Sequence, residues 1–315
     1  MRKSLLLTGT VGLGFLMLTG GCGDDNFVRD VSLPRPDRGF QLNVGPFQVI
    51  PNSEVQDCYY FKVPIDAPMY VHRIEVALNP GSHHMNLFKF VGANSGHTDG
   101  EIQRGCWDAV AFESWDLVYN SQNTGTTDWT LPPGVSHYFE PGEMFMLQTH
   151  YVNATTQKTT LGVGKVVVNF YEADPADALN KLGSMFANNR GIRLPVNQES
   201  SFTAQCLVPN DVNFVAMSGH FHSRGEEFDI GIIQNAAGDG YHNEYTSTDW
   251  ANAPFTTFSP GEPCPAGGGL QYTCKFFNNT NDVITFGPHV EFQEHCNVFA
   301  YYYPALETRG AIYCF

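Results

Sequence analysis

Short runs of β-branched and aromatic residues, each closed by a turn signal, recur along almost the whole chain. Examples are residues 59–63, 144–152 and 165–170, and the turns include Asn-Pro-Gly at 79–81 and Pro-Pro-Gly at 132–134. Branched and aromatic side chains fit a pleated, half-buried surface, whereas Gly, Pro and Asn end strands. With 31 Gly and 19 Pro among 315 residues, the pattern predicts an all-β protein.

One interval breaks this pattern and marks a predicted domain junction. Residues 172–183 are rich in Ala and poor in strand-forming residues, and a chain of 315 residues corresponds to one large or two medium domains. We therefore expect an N-terminal domain over 39–172, a junction over 173–183 and a C-terminal domain over 184–315. Each domain is expected to be a β-sandwich of jelly-roll type, in tandem along the chain.

The N-terminus carries the features of an export signal. A basic segment (1–3) precedes an apolar run (5–18), and small residues lead directly into Cys22. This resembles a bacterial lipobox, so residues 1–22 are predicted to be a signal peptide with Cys22 as the lipidated N-terminus; an ordinary secretory signal is the alternative. Residues 23–38 would then form a tether. The protein is expected in the bacterial cell envelope, lipid-anchored and facing the periplasm or the cell surface.

Charge and cysteine content fit an exported protein. A formal net charge of −15 argues against nucleic acid and anionic membrane surfaces as partners, so membrane contact is expected only through the lipid anchor. Outside the cytoplasm, cysteines can form disulfides. Apart from Cys22 there are seven, an odd number that leaves one unpaired or marks an unusual bond: Cys58, Cys106, Cys206, Cys264, Cys274, Cys296 and Cys314.

The histidines form two candidate metal-binding groups. His220 and His222 follow a strand-like run, and residues i and i+2 of a strand face the same side. Their third ligand must come from another strand, where His295 is the first candidate and His289 the second. Imidazole suits copper, zinc, iron and nickel.

The other group lies in the first half of the chain. His83 and His84 directly follow a turn, and His150 lies in an apolar strand. Adjacent residues of a regular strand face opposite sides, so the backbone must twist at this turn if both are to bind one metal. The remaining histidines at 72, 97, 137 and 242 are isolated and are interpreted as surface or capping residues.

Four motifs together resemble one enzyme family, the type II ascorbate-dependent copper monooxygenases, which include peptidylglycine alpha-hydroxylating and dopamine beta-monooxygenases. The resemblance covers roughly residues 40–315, with the motifs in the family's order and approximate spacing. It implies two β-sandwich domains that face a solvent-filled cleft, with one copper on each. The motifs are Ser-His-His-Met-Asn-Leu-Phe (82–88), Leu-Gln-Thr-His-Tyr (147–151), His-Phe-His (220–222) and Gln-Glu-His-Cys-Asn (293–297).

The resemblance also implies a role for each histidine. His83, His84 and His150 match the copper that supplies an electron, and His220 and His222 match two ligands of the copper that binds oxygen. The family's third ligand there is a Met directly before a Cys, and this chain has His295 in that place. A thioether favours Cu(I), whereas a third imidazole favours Cu(II) relatively more.

Disulfides and substrate contacts follow from the same resemblance. The implied pairs are Cys58–Cys106, Cys274–Cys296 and Cys206–Cys314, which leave Cys264 over. The peptide-amidating member holds its substrate carboxylate with an Arg and a Tyr, whose places are taken here by Ser218 and Phe299, although Asn297 matches. Loss of a bidentate Arg is not conservative, so no specificity for C-terminal-glycine peptides is expected.

These features predict a copper-dependent monooxygenase with two coppers per chain. It would hydroxylate an activated C–H bond of a small organic substrate with O2 and an external reductant such as ascorbate, with His220, His222 and His295 at the catalytic copper. The alternative is a non-catalytic copper-binding or electron-transfer lipoprotein on the same scaffold. A disulfide-stabilised binding domain without metal is a third hypothesis.

Overall fold

A computed structural model describes residues 31–107, 114–156, 161–307 and 310–315, and strands are almost the only regular secondary structure in these residues. The one helical element is a single 3-10 turn, Pro175–Asp177. The predicted all-β class is confirmed. Within the described residues, no helix combines the length and the hydropathy that a membrane span requires. The predicted signal peptide and Cys22 lie outside the described residues.

The strands are numbered in chain order. Those of the first half are β1 (Gly39–Val49), β2 (Ser53–Lys62), β3 (Met69–Leu78), β4 (Ser82–Phe90), β5 (Ile102–Gln103), β6 (Trp115–Ser121), β7 (Gly125–Thr130), β8 (Val135–Phe139), β9 (Met144–Asn153), β10 (Gly162–Glu172) and β11 (Asn180–Lys181). Those of the second half are β12 (Gly183–Asn188), β13 (Arg193–Leu194), β14 (Gln198–Leu207), β15 (Val212–His220), β16 (Gly225–Ile233), β17 (His242–Ser247), β18 (Thr256–Cys264), β19 (Gly269–Asn278), β20 (Ile284–Phe286), β21 (Gln293–Glu294), β22 (Asn297–Tyr303) and β23 (Ala311–Cys314).

These strands form five sheets. The first half contributes β1-β10-β3-β8-β11, with β7 also paired to β3, and β5-β2-β9-β4-β6. The second half contributes β18-β15-β22-β12-β23, β14-β19-β16-β17 and the small β13-β20-β21. No described sheet mixes strands from before and after residue 182. The tandem-sandwich arrangement is not confirmed, since five sheets are also the number that a propeller-like arrangement of five blades would give.

The core of the first half forms because alternate residues of β10 face inward. Val166, Val168 and Phe170 belong to the apolar cluster, as the period of two along a strand predicts, whereas Val167 and Asn169 between them are buried on the opposite face. The ring of Phe170 stacks on Phe40 of β1, with the ring centroids 4.3 Å apart. Apolar burial of this kind is the main favourable contribution to folding.

The two halves share part of this core. Phe299 and Tyr301 of β22 are buried in the same apolar cluster as the first-half residues. Tyr301 packs on Trp129 with ring centroids 4.8 Å apart, and its hydroxyl accepts a 2.8 Å hydrogen bond from the backbone N–H of Asn120. The sheets that carry β4 and β15 are therefore held against each other by buried contacts.

The last residues of the expected tether lie against the first sheet. The carbonyl of Leu33 accepts a 3.0 Å hydrogen bond from the Gln41 amide, and the carbonyl of Pro34 accepts one of 2.8 Å from Asn169. Arg38 pairs with Glu172 at 3.2 Å. Residues 31–38 are thus docked on β1 and β10, because side chains of these strands satisfy their backbone carbonyls.

The three disulfides expected from the family resemblance are present: Cys58–Cys106, Cys206–Cys314 and Cys274–Cys296. The second connects the start of the second half to its end across 108 residues of sequence. Such a closed loop stabilises a protein mainly by restricting its unfolded chain. Cys264 is unpaired and buried.

The packing of β10 predicts a large effect of truncation at Phe170. Phe170→Ala removes a fully buried ring and is expected to lower the free energy of unfolding by about 3–5 kcal/mol. Leu179→Ala is the matched control, because Leu179 is 77% exposed, and it should change stability by less than about 0.5 kcal/mol. Urea unfolding with the disulfides intact measures both. Equal effects of the two variants would contradict this core assignment.

Candidate metal centre

Six histidines meet in one buried cluster, which contains every residue of the two predicted trios. His83 is at its centre, because four other rings of the cluster lie around it. The ring centroid of His83 is 5.2 Å from His84, 5.1 Å from His150, 4.8 Å from His220 and 5.2 Å from His222. His295 joins through His222, at 4.4 Å. The resemblance implied two coppers across a solvent-filled cleft, whereas here the trios adjoin.

The first trio is built by the pairing of β4 with β9. His84 is directly opposite His150 in this antiparallel pair, and the register shifts between Ser82 and His84. An irregularity of this kind lets adjacent residues depart from strict alternation, so His83 reaches the same cluster as His84. The backbone twist predicted from the sequence at this turn is therefore present. Gly81 before it has φ of 93°, a conformation that favours glycine.

The second pair of histidines is not on one strand, which corrects the sequence interpretation. His220 is the last residue of β15. His222 lies in the turn that follows, where its backbone carbonyl accepts a 2.9 Å hydrogen bond from the backbone N–H of Gly225. The turn forms because the Glu294 carboxylate accepts the backbone N–H groups of His222 and Arg224, at 2.7 and 2.8 Å. A Cβ at Gly225 would overlap the ring of Phe221 at 1.5 Å, so only glycine fits there.

The third position of this group has two candidates in the structure. His295 has its ring 5.2 Å from His220, as expected for a neighbour of the pair. The donor nitrogens of His83, His220 and His222 all lie within 4.8 Å of one another. His83 is therefore the other candidate for the third ligand. His289, the second candidate from the sequence, is bonded elsewhere, since its Nδ1 lies 2.7 Å from a carboxylate oxygen of Glu54.

Unpartnered ring nitrogens indicate that the cluster fits a metal. Four buried nitrogens have no hydrogen-bond partner within the described part of the chain, although leaving such a group unpaired costs roughly 1–3 kcal/mol. A bound cation would use these lone pairs, and an all-imidazole donor set suits copper among other metals. The nitrogens are Nε2 of His83, His220 and His222, and Nδ1 of His295.

Burial keeps these rings in the neutral form that a metal requires. Desolvation, reinforced by the neighbouring histidines, holds the pKa of His83 and His220 well below 6.5. Burial also lowers the pKa of His222 to about 3, although its hydrogen bond to the Gln293 carbonyl opposes the shift. Neutral imidazole is the ligand form, so no proton needs to be displaced on binding.

Three outer groups orient the rings, and none was identified from the sequence. Gln122 Oε1 lies 2.7 Å from His220 Nδ1, and the carbonyl of Gln293 accepts from His222 Nδ1 at 2.9 Å. Glu54 Oε2 lies 2.9 Å from His150 Nε2. Such partners fix the tautomer and the ring orientation of a metal ligand. Gln122 and Glu54 belong to none of the four motifs, and Gln293 acts through its backbone carbonyl, so no side-chain pattern identifies these groups.

Glu54 links the two halves of the chain at the cluster. Its carboxylate receives hydrogen bonds from His150 and from His289, which is in the second half. Burial would raise the pKa of this carboxyl, but the two histidine contacts outweigh burial and lower it to about 2. The ring of Trp107 covers the contact, with centroids 5.5 Å from His150 and 4.5 Å from His289.

Among the isolated histidines, one was misplaced by the sequence analysis. His137 is buried, where it was expected at the surface, because it belongs to the short strand β8 whose inner face packs on the core. Burial lowers its pKa to about 3. His242 is exposed and pairs with Glu244, as expected for a surface histidine.

The chain is similar to a curated protein, the tyramine beta-hydroxylase of Caenorhabditis briggsae. The two are 23% identical over 307 aligned residues, which cover 82% of this chain and 47% of the relative. The chain therefore spans about half the length of that relative. A scan against models of known protein families finds no match.

Solved structures give only remote likenesses. The STIV MCP matches with a TM-score of 0.32 and 8% identity, over 83% of this chain and 94% of that one. The PBSX exported protein XepA matches with a TM-score of 0.23 and 7% identity, over 78% of this chain and 89% of that one. Likenesses at this level carry no argument about fold or function.

The buried carboxyl of Glu294 predicts a pH dependence of stability. Burial raises its pKa from 4.5 to about 7, although backbone N–H groups oppose the shift. The folded protein therefore retains this proton at pH values where the unfolded chain has lost it. The resulting stabilisation is full below pH 4.5 and is lost as pH rises through 7.

We expect the wild-type protein to lose stability relative to Glu294→Gln between pH 5 and pH 8, by at most about 3 kcal/mol. Denaturant unfolding at both pH values, with a chelator present, measures this difference. Glu199→Gln at an exposed position of β14 is the control and should show no such trend. A constant difference between wild type and Glu294→Gln at the two pH values would refute the prediction.

Proposed function

We propose that this protein is a copper-dependent monooxygenase that hydroxylates an activated C–H bond of a small organic molecule. The observation that carries the proposal is the cluster of six histidines with four unpartnered buried nitrogens. Two groups of three donors within it could each hold an ion. Similarity to a hydroxylase over 82% of the chain supports the same class of reaction. The histidine cluster and the similarity to a hydroxylase both agree with the family that the histidine motifs resemble.

In this proposal the histidines divide by trio. His83, His84 and His150 would hold a copper that serves in electron supply. His220 and His222 would hold the copper that serves in oxygen chemistry, with His295 or the shared His83 as the third ligand. Copper supplies one-electron redox chemistry and oxygen activation. Overall, O2, two electrons and two protons convert a C–H bond to C–OH and water, and an external reductant such as ascorbate supplies the electrons.

The chain itself contributes orientation and exclusion of water. Gln122 accepts the proton of His220 Nδ1 and the Gln293 carbonyl accepts that of His222, so Nε2 of each ring is free to bind metal. His150 and His222 are fully buried. The closed packing of the two halves limits water at the cluster, which protects a reactive site against side reactions.

A specific observation favours the alternative, a copper-binding or electron-transfer protein that does not hydroxylate. The family's thioether ligand is replaced by His295, and an all-imidazole site favours Cu(II) relatively more. Formation of a hydroxylated product coupled to oxygen uptake separates the two functions, because an electron-transfer protein can consume reductant without forming such a product.

The cellular location of the protein and its partners are also part of the proposal. The signal-like N-terminus, the three disulfides and the acidic charge support an exported, lipid-anchored envelope protein. Two domains joined at residues 173–183 remain our proposal for the division of the chain. A small-molecule substrate, O2 and an electron donor are the proposed partners.

Copper content and oxygen uptake test the proposal together. The full chain should bind about two coppers, as expected from two trios, and consume O2 with ascorbate as reductant. His150→Ala should remove one copper. His83→Ala should also remove one copper, because one imidazole nitrogen binds one metal, and the site that is lost shows which of the two donor groups His83 completes. The control is His242→Ala at the exposed position, which should keep both metals. A protein that binds no copper, or that keeps full copper content in His83→Ala, would contradict the proposal.

A further inference from the structure

A small cavity opens directly beside the histidine cluster. Its volume is about 150 Å³, and His84, His220 and His295 form part of its wall. A cavity of about this size accommodates one benzene-sized ring. The larger cavity of the described chain, about 730 Å³, contains none of the six clustered histidines. The small cavity is therefore the place where a ligand would reach the proposed copper site.

One wall is a row of polar residues across three neighbouring strands. Asn188 of β12 is opposite Asn297 of β22, and Asn297 is opposite His220 of β15. Residues opposite each other in adjacent strands share one face of the sheet. The two asparagines thus stand in line with a proposed copper ligand.

The next row on the same face is aromatic. Two residues further along, Phe186 is opposite Phe299, and Phe299 is opposite Ser218. The rings of Phe186 and Phe299 lie 5.1 Å apart. Phe286 and Trp107 contribute further rings to the cavity wall. Aromatic walls favour a flat aromatic ligand, through apolar burial and ring-edge contacts.

Charged side chains are absent from the described lining of this cavity. Ser218 takes the place of the Arg that holds the substrate carboxylate in the peptide-amidating member of the family. Its hydroxyl already accepts a 2.9 Å hydrogen bond from Gln122 Nε2. An ammonium or carboxylate buried here would therefore lack an ionic partner, which is costly. Tyramine, named in the relative, is a cation at neutral pH, and no acidic side chain lines this cavity to pair with it.

Two buried amide oxygens remain without partners. The Oδ1 atoms of Asn188 and Asn297 make no hydrogen bond within the described residues, although both side chains are almost completely buried. A primary amide offers both a donor and an acceptor. A hydroxyl or a carboxamide would satisfy these amides, whereas a pure hydrocarbon would leave them unpaired.

From these observations we propose that the cavity binds a small, uncharged aromatic molecule. Its hydroxyl or amide group bonds to Asn188 and Asn297, and its ring packs on Phe186 and Phe299. This rests on the proposed function only in taking that molecule as the substrate, since binding itself needs no copper. This ligand carries no charge, unlike the peptide carboxylates that an Arg in place of Ser218 would bind.

Four probes of one size test the charge preference: benzyl alcohol, benzylammonium, benzoate and toluene. Calorimetric titration uses the full chain, both loaded with copper and after metal removal by a chelator, because an amine or a carboxylate can bind copper directly. On the metal-free chain, benzyl alcohol should bind at least about tenfold more tightly than either ion, and toluene should bind about tenfold more weakly than the alcohol. Equal or tighter binding of either ion would overturn the proposal.

A charge variant makes the test specific for the cavity. Asn188→Asp adds a carboxylate in nearly the same shape and should reverse the preference toward benzylammonium. Asn188→Leu should reduce the difference between benzyl alcohol and toluene, and it keeps the test available if the Asp variant does not fold. Asn279→Asp, at an exposed position, is the control and should leave all affinities unchanged. Folded Asn188 variants with wild-type preferences would also overturn the proposal.

The result separates this inference from the proposed function. Binding of benzyl alcohol by a chain that fails to take up copper when copper is supplied would support the cavity and contradict the monooxygenase. Copper binding and oxygen uptake by a chain that prefers benzylammonium or benzoate would support the monooxygenase and contradict the uncharged ligand.

Discussion

The burial of six imidazoles in one place is the constraint on which the rest of the structure depends. Taking polar rings out of water is costly unless their nitrogens form hydrogen bonds. In this structure some of the ring nitrogens have a partner and others have none. Gln122, Gln293 and Glu54 satisfy one nitrogen on each of three rings. Four other buried nitrogens remain unpaired. This combination of oriented rings and free lone pairs is expected of a site prepared for metal.

The packing of the two halves makes this arrangement possible. The Gln122 amide bridges to Ser218 and His220, and Glu54 reaches His289, so first-half side chains orient second-half histidines. The shared core around Tyr301 keeps the sheets at a fixed separation. The cluster and the adjoining cavity are therefore a single unit of the fold, and a change at the interface should affect both.

Much of this could be predicted from local sequence, because a strand pattern and a histidine motif are both local signals. The all-β class and the candidate histidines came from such patterns, whereas the disulfide pairs came from the family resemblance and not from a local signal. The turn at His222 could not be predicted, since it depends on the Glu294 carboxylate, which is 72 residues away. The shared position of His83 and the role of Gln122 depend on how two sheets meet, which no residue spacing encodes. His137 was misplaced because a lone histidine carries no periodic signal.

The closeness of the two trios is the central claim, and electron paramagnetic resonance of the oxidised, fully copper-loaded protein tests it most directly. His83 belongs to the first trio and lies beside His220 and His222 of the second. Two Cu(II) ions, one bound to each trio, should therefore interact magnetically. We expect a broadened or exchange-coupled spectrum, whose integrated intensity can fall below that of two isolated ions, and a normal single-copper spectrum from His150→Ala. Two superimposed, non-interacting Cu(II) signals of full intensity would place the metals far apart and contradict the account.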